Sequence, residues 1–173
     1  MSLCFEEFGL RQELVEAVSA LGFTEPTPVQ EKALAALRGT TGDLVALAQT
    51  GTGKTAAFGL PLINRIETGQ RSIQAVVLCP TRELCIQISR DFVSYGSKIS
   101  ALQIASIYGG SSIALQIRQV KRGSQIIVAT PGRLLDLMGR GVVDLSGVTN
   151  GVLDEADEML NMGFKEAIDD ILK

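Results

Sequence analysis

Five short runs along the chain are almost wholly apolar, and each gives way to small or polar residues: DLVALAQT from Asp43, AVVLCPT from Ala75, QIASIYGG from Gln103, QIIVATP from Gln125 and VTNGVLDEAD from Val148. Unbroken runs of this kind predict buried parallel strands. Between them, RELCIQISRDFVSY from Arg82 and SIALQIRQVKR from Ser112 repeat their apolar positions every three or four residues, as do LRQELVEAVSAL and VQEKALAAL ahead of the first run. That spacing predicts helices with one apolar face. Strand and helix in alternation predict an α/β fold, a mainly parallel sheet with helices on both faces, in which ligands bind beyond the carboxyl ends of the strands. Pro61, inside KTAAFGLPLINRI, is expected to kink or end that helix about two turns in, and Gly139 to Val148 reads as a glycine-bearing connection.

Composition narrows the possibilities. With 173 residues, 46% of them hydrophobic, residues 1–173 are expected to form one domain that needs neither disulfides nor a metal for its core. The three cysteines, Cys4, Cys79 and Cys85, lack metal-ligand spacing and read as reduced thiols, two of them in apolar surroundings. No run approaches a membrane span and the amino terminus has no basic start or apolar segment, so a cytoplasmic chain without membrane contact is expected. A formal charge of -3 excludes coating of nucleic acid by bulk positive charge; any such site must be focused. The chain has no histidine, so its chemistry must rest on carboxylates, lysine, hydroxyls or a bound cation. Neither an RNP-like aromatic pattern nor zinc-ligand spacing is present, and 5% aromatics leave few platforms for base stacking. Cys79 reads as a buried strand residue, and the Phe23, Phe92 and Phe164 rings read as core.

The stretch AQTGTGKT, Ala48 to Thr55, follows an apolar run and opens a helical pattern, the setting in which a phosphate-binding loop is found. Gly51 and Gly53 permit the tight turn that aims backbone N–H groups inward, Lys54 supplies a point charge for the β and γ phosphates, and Thr55 offers a hydroxyl to Mg²⁺. Ala48 stands where the common pattern has glycine, at a position that needs no left-handed backbone. The competing reading is a glycine turn before a helix with an exposed lysine.

At the end of the last apolar run, Asp154, Glu155, Asp157 and Glu158 crowd four like charges together, a cluster that a nucleotide-bound Mg²⁺ would offset. Asp154 suits metal holding, usually through water, and Glu155 suits orienting an attacking water. An acidic helix start is the alternative, since acids favour a first turn. PTREL and TPGR each follow a strand end, with Thr81 or Thr130 able to cap the next helix and Pro131 suited to its first position. Free helix N–H groups with Arg82 and Arg133 suit a nucleic-acid backbone, against the alternative of ordinary caps with exposed arginines.

These residues resemble the DEAD-box RNA helicase family, named for the four letters found here at Asp154 to Asp157. GFTEPTPVQ, Gly22 to Gln30, is similar to its Q motif, and Phe5 falls at the position of its upstream aromatic. AQTGTGKT is similar to its motif I, whose usual first residue is alanine; PTREL is similar to motif Ia, Gly109-Gly110 to the GG element and Thr130 to Arg133 to motif Ib. The resemblance covers nearly the whole chain. It implies an amino-terminal RecA-like domain with the Q-motif region at about residues 3–31, and a second RecA-like domain of the parent chain that is absent here.

By the same resemblance Gln30 binds the adenine edge and Phe5 its face, so the nucleotide is ATP, with Phe23, Ala48, Gln49, Thr50, Gly51, Thr52, Gly53, Lys54, Thr55 and Asp154 completing its site. Lys54, Asp154 and Glu155 are the implied catalytic set, and Thr55 and Asp154 the implied Mg²⁺ residues. Pro80, Thr81, Arg82, Gly110, Thr130, Gly132 and Arg133 are the implied contacts to the RNA backbone, without base reading, and Asp157 the implied link to the second domain. The expected function of the parent is RNA-dependent ATP hydrolysis with local duplex unwinding. A non-unwinding, ATP-dependent RNA clamp is the alternative, and a DNA-translocating helicase is disfavoured. Alone, the fragment is expected to have little or no activity, because the arginine finger lies in the second domain.

Overall fold

The computed structural model describes residues 4–39 and 42–173, so Met1, Ser2 and Leu3, including the start of the Q-motif region, lie outside the described residues. The chain divides into two compact units, one of Met1–Ile66 and Asp91–Ser100, the other of Glu67–Arg90 and Ala101–Lys173.

The first unit is helical. A 3₁₀ turn at Phe5–Phe8 leads to α1 (Gln12–Ala20), α2 (Pro28–Leu37) and α3 (Lys54–Asn64). Leu14, Val18, Leu60 and Ile63 are essentially inaccessible there, and a run of aromatic rings accompanies them, in which Phe5 meets Phe23, Phe23 meets Tyr95, and Phe92 lies between Tyr95 and Phe58. Phe92 is fully buried as expected, whereas Phe23 is only half-buried. Arg11 closes the end of α3: its guanidinium donates to the carbonyls of Asn64 at 2.7 Å and Ile66 at 3.0 Å, the favourable place for a cation on a helix. Pro61 lies inside α3, which continues past it to Asn64.

DLVALAQT departs from expectation. Residues 43–49 form no strand, and Val45 and Leu47 are 89% and 97% exposed. Apolar composition gives a segment the capacity to be a strand, but a strand exists only where a neighbour completes its hydrogen bonds. Among the described residues no strand pairs with this one.

The second unit holds the sheet. Strands β1 (Ala75–Leu78), β2 (Ile104–Ile107), β3 (Ile126–Ala129) and β4 (Asn150–Leu153) lie in the order β2-β3-β1-β4, and every pairing is parallel. The central β1 and β3 are buried throughout, while the edge strands alternate, so β4 is half-buried where its sequence had predicted full burial. Helices α4 (Arg82–Tyr95), α5 (Ile113–Lys121) and α6 (Pro131–Gly139) follow β1, β2 and β3 in turn, and α7 (Ala156–Asn161) and α8 (Lys165–Ile171) both follow β4. Leu134, Leu137, Met159, Ile168 and Ile171 pack with Val76, Leu78, Ile107 and Ile127 in one core, against which Phe164 is only partly buried.

Register matters most for function. Leu78 pairs with both Ala129 and Leu153, and Ile107 pairs with Ala129. All four strands therefore stop level, and Cys79, Tyr108, Thr130 and Asp154 leave the sheet at one end.

Candidate nucleotide site and nucleic-acid interface

In the first unit the glycine loop has the predicted shape. Gly51 and Gly53 adopt φ of 79° and 86°, the left-handed region that glycine enters without steric cost, and α3 begins at Lys54 directly after. Ala48 is not among the residues with positive φ, so alanine serves there. Thr52 fastens the loop, its hydroxyl donating to the Gln49 carbonyl at 2.7 Å, and Thr50 stands between. Lys54 and Thr55 occupy the first turn of α3, half-buried, at the positive end of the helix dipole.

The Q-like segment meets this loop. Thr27 caps α2, Pro28 takes its first position, and the Thr27 hydroxyl donates to the Thr52 carbonyl at 2.9 Å. Gln30 is 3% exposed; its oxygen accepts the Thr27 N–H at 3.0 Å and its amide donates to the Gly53 carbonyl at 3.1 Å. Half of its hydrogen-bonding capacity is thus spent on the protein itself. Phe5, Glu6, Val15, Ser19, Phe23 and Thr24 line a hollow of about 270 Å³, with Phe5 recessed to 3% exposure.

In the second unit the acids do not gather. Asp154 is 5% exposed at the tip of β4, its carboxylate accepting the Glu155 N–H at 3.1 Å, while Asp157 and Glu158 are exposed on α7. Among the described residues no three His, Cys, Asp or Glu side chains converge as a metal site, so the expected fourfold cluster is corrected to a strand-tip pair. A short helix starting at Ala156 spreads successive side chains around its axis. Glu155 itself holds φ 53°, ψ 48°, a left-handed conformation that costs a non-glycine residue of order 1 kcal/mol or more. Behind this pair, the Cys79 thiol is pushed up by the neighbouring Cys85 thiol, by burial and by the charges of Asp154 and Glu155, which keeps it protonated and inert.

The basic residues do converge. Thr81 caps α4, accepting the Leu84 N–H at 3.2 Å, whereas Thr130 makes no side-chain cap although Pro131 opens α6 as expected. Arg82 donates to the Gly110 carbonyl at 3.1 Å, and Arg133 to the Ser111 carbonyl at 3.2 Å. Two arginines from two helix starts therefore meet one turn. Pro80 is buried below them, and Gly132 is exposed at the start of α6. Sequence reasoning missed Tyr108, whose ring lies 5.3 Å from the Arg82 guanidinium, and Gln116, which reaches the same turn from α5. Neither residue type is distinctive on a helix or strand end, so only spatial neighbours reveal them.

A profile of the DEAD/DEAH box helicase family matches residues 27–173. The chain is 50% identical over 172 residues to the ATP-dependent RNA helicase CshA of Listeria monocytogenes, covering 98% of this chain and 32% of that protein. It is 46% identical to the DEAD-box ATP-dependent RNA helicase CshA of Bacillus subtilis, covering 99% and 34%. Among solved structures, a DEAD box protein from the hyperthermophile Methanococcus jannaschii superposes with a TM-score of 0.90 at 40% identity, over 99% of this chain and 47% of that one. The yeast DEAD-box splicing factor Prp28 gives 0.88 at 28% identity, over 99% and 42%. The chain thus spans about a third of the length of the curated relatives it matches. With the family profile matching most of its residues, this chain belongs to the DEAD/DEAH box helicases.

Proposed function

We propose that this chain is the amino-terminal, ATP-binding RecA-like domain of an ATP-dependent RNA helicase, whose parent couples ATP binding and hydrolysis to RNA binding and local duplex unwinding. The observation that carries the RNA half is the convergence of Arg82 and Arg133 on the Gly110–Ser111 turn. Guanidinium groups beside two helix starts attract phosphate oxygens and read no bases, so the interface tracks the RNA backbone through Pro80, Thr81, Arg82, Gly110, Thr130, Gly132 and Arg133.

For the nucleotide half, residues 48–55 cradle the phosphates, with Lys54 on the β and γ groups, while Gln30, Phe5 and Phe23 face the adenine. Support comes from the left-handed Gly51 and Gly53 and from the bonds that tie Thr27 and Gln30 to the loop. Thr55 and Asp154 each offer a hard-oxygen donor of the kind Mg²⁺ takes, Thr55 directly and Asp154 through water. That ion offsets phosphate charge when bound. Glu155 orients the attacking water, and Asp157, exposed on α7, couples to the second RecA-like domain of the parent. The buried thiols Cys79 and Cys85 suit a reducing, cytoplasmic setting. Among the described residues no helix is long and apolar enough to cross a membrane.

In the full-length parent, Lys54→Ala should abolish ATP binding and Glu155→Gln should trap ATP with RNA bound. RNA-stimulated hydrolysis surviving both changes would falsify the assignment. On a tailed RNA duplex, ATP consumption without strand release would instead identify an RNA clamp, and equal stimulation by DNA would remove the RNA preference.

A further inference from the structure

Gln116 is a polar residue buried to 3% exposure on α5, and both ends of its carboxamide are engaged. Its amide donates to the Tyr108 carbonyl at 2.9 Å and its oxygen accepts from Arg133 at 3.2 Å. The same Arg133 nitrogen also reaches the Ser111 carbonyl at 3.2 Å. One side chain therefore ties the end of β2 to the first turn of α6. Between these anchors lies the turn 109–111, which receives Arg82 at Gly110, while the Arg82 guanidinium also lies over the Tyr108 ring at 5.3 Å. Both arginines thus bond a turn that Gln116 flanks, through Tyr108 on one side and Arg133 on the other.

A guanidinium carries five N–H donors, so holding one nitrogen of each arginine leaves the others for an anion. A long cation fixed before binding loses less side-chain entropy when it meets a phosphate. We propose that Gln116 is a positioning residue for the arginine pair, setting the spacing with which Arg82 and Arg133 meet successive phosphates of the RNA strand. This rests on the reading of those arginines as RNA contacts. Gln116 itself touches no RNA.

The test uses the full-length parent carrying Gln116→Leu, which keeps the volume and removes both bonds. RNA affinity is titrated with a short single strand at several salt concentrations, beside the KM for ATP and kcat at saturating RNA. Expected are an RNA affinity about ten-fold weaker and a logarithmic salt slope shallower by about one, as one phosphate contact is lost, with KM for ATP and kcat unchanged. A merely structural role would move thermal stability and all the constants together and leave the salt slope alone. Should Gln116→Leu fail to fold, Gln116→Glu is read in its place; its carboxylate retains Arg133 but neutralises it, and the same loss of slope is expected. Arg133→Ala separates the two layers. If it weakens RNA binding while the Gln116 variants do not, the positioning role is wrong; if it too has no effect, the RNA assignment fails and takes this inference with it.

Discussion

The Gln30 carboxamide donates to the Gly53 carbonyl at 3.1 Å, so a buried side chain of α2 is fastened to the last glycine of the loop that opens α3. A Cβ at Gly53 would stand 2.4 Å from that same nitrogen, on a backbone at φ +86°. Gly53→Ala must then displace Gln30 from both its bonds and also enter the left-handed region, together costing about 2–3 kcal/mol. Thermal unfolding should show a loss of that size, and ATP affinity of the parent should fall at least about ten-fold. Wild-type melting and affinity would show that the contact is slack.

Gly59 faces Phe92 inside the first unit, where a Cβ would come within 2.6 Å of the ring edge. On an open helix Gly→Ala gains about 1 kcal/mol. Here the ring is fully buried and cannot yield, and overpacking of about 1–3 kcal/mol outweighs the gain. Gly59→Ala should lower the denaturant midpoint without changing its slope, and a raised midpoint would mean that the aromatic run repacks freely.

The left-handed backbone of Glu155 separates stability from activity. Glu155→Gln retains the strain, whereas Glu155→Gly relieves it, so the glycine variant should unfold about 1 kcal/mol later than the glutamine variant while both lack hydrolysis. Equal melting temperatures would show that Glu155 relaxes to an ordinary conformation in solution.

Tyr95 sets an alkaline limit. Burial, reinforced by the charge of Asp91, pushes its phenol up to about 12 from its ordinary value of 10. The folded state therefore holds this proton more tightly than the unfolded chain, so its contribution to stability is complete below about pH 10 and is lost as pH rises through about 12. Tyr95→Phe should flatten the fall in denaturation midpoint across that window. A fall of unchanged steepness would assign it to other groups.

Much of this was legible in the chain itself. The four strand runs that end in PT, YGG, TP and DEAD became β1, β2, β3 and β4, because an unbroken apolar run bounded by turn residues is satisfied by few other structures. Helix starts at Lys54 and Pro131 were equally visible, since glycines and prolines act on immediate neighbours. The run DLVALAQT was misread for the complementary reason: pairing is supplied by another segment, and nothing within residues 43–49 reports whether it arrives. The fourfold acidic cluster failed similarly, because helix geometry at α7 turned Asp157 and Glu158 to solvent while Asp154 stayed inside.

Local chemistry alone determined which residues suit phosphate or its counter-ion: two glycines with a lysine and a threonine, an acid at a strand tip, and arginines one or three residues past a threonine. Tertiary structure decided which of them share a surface. Parallel register brings Leu78, Ile107, Ala129 and Leu153 to rest level, so loops far apart in sequence emerge side by side, and Gln116 and Tyr108 acquire roles that no spacing along the chain encodes. Sequence patterns record forces between neighbours along the backbone, whereas the grip on a ligand depends on distances that close only when the sheet assembles.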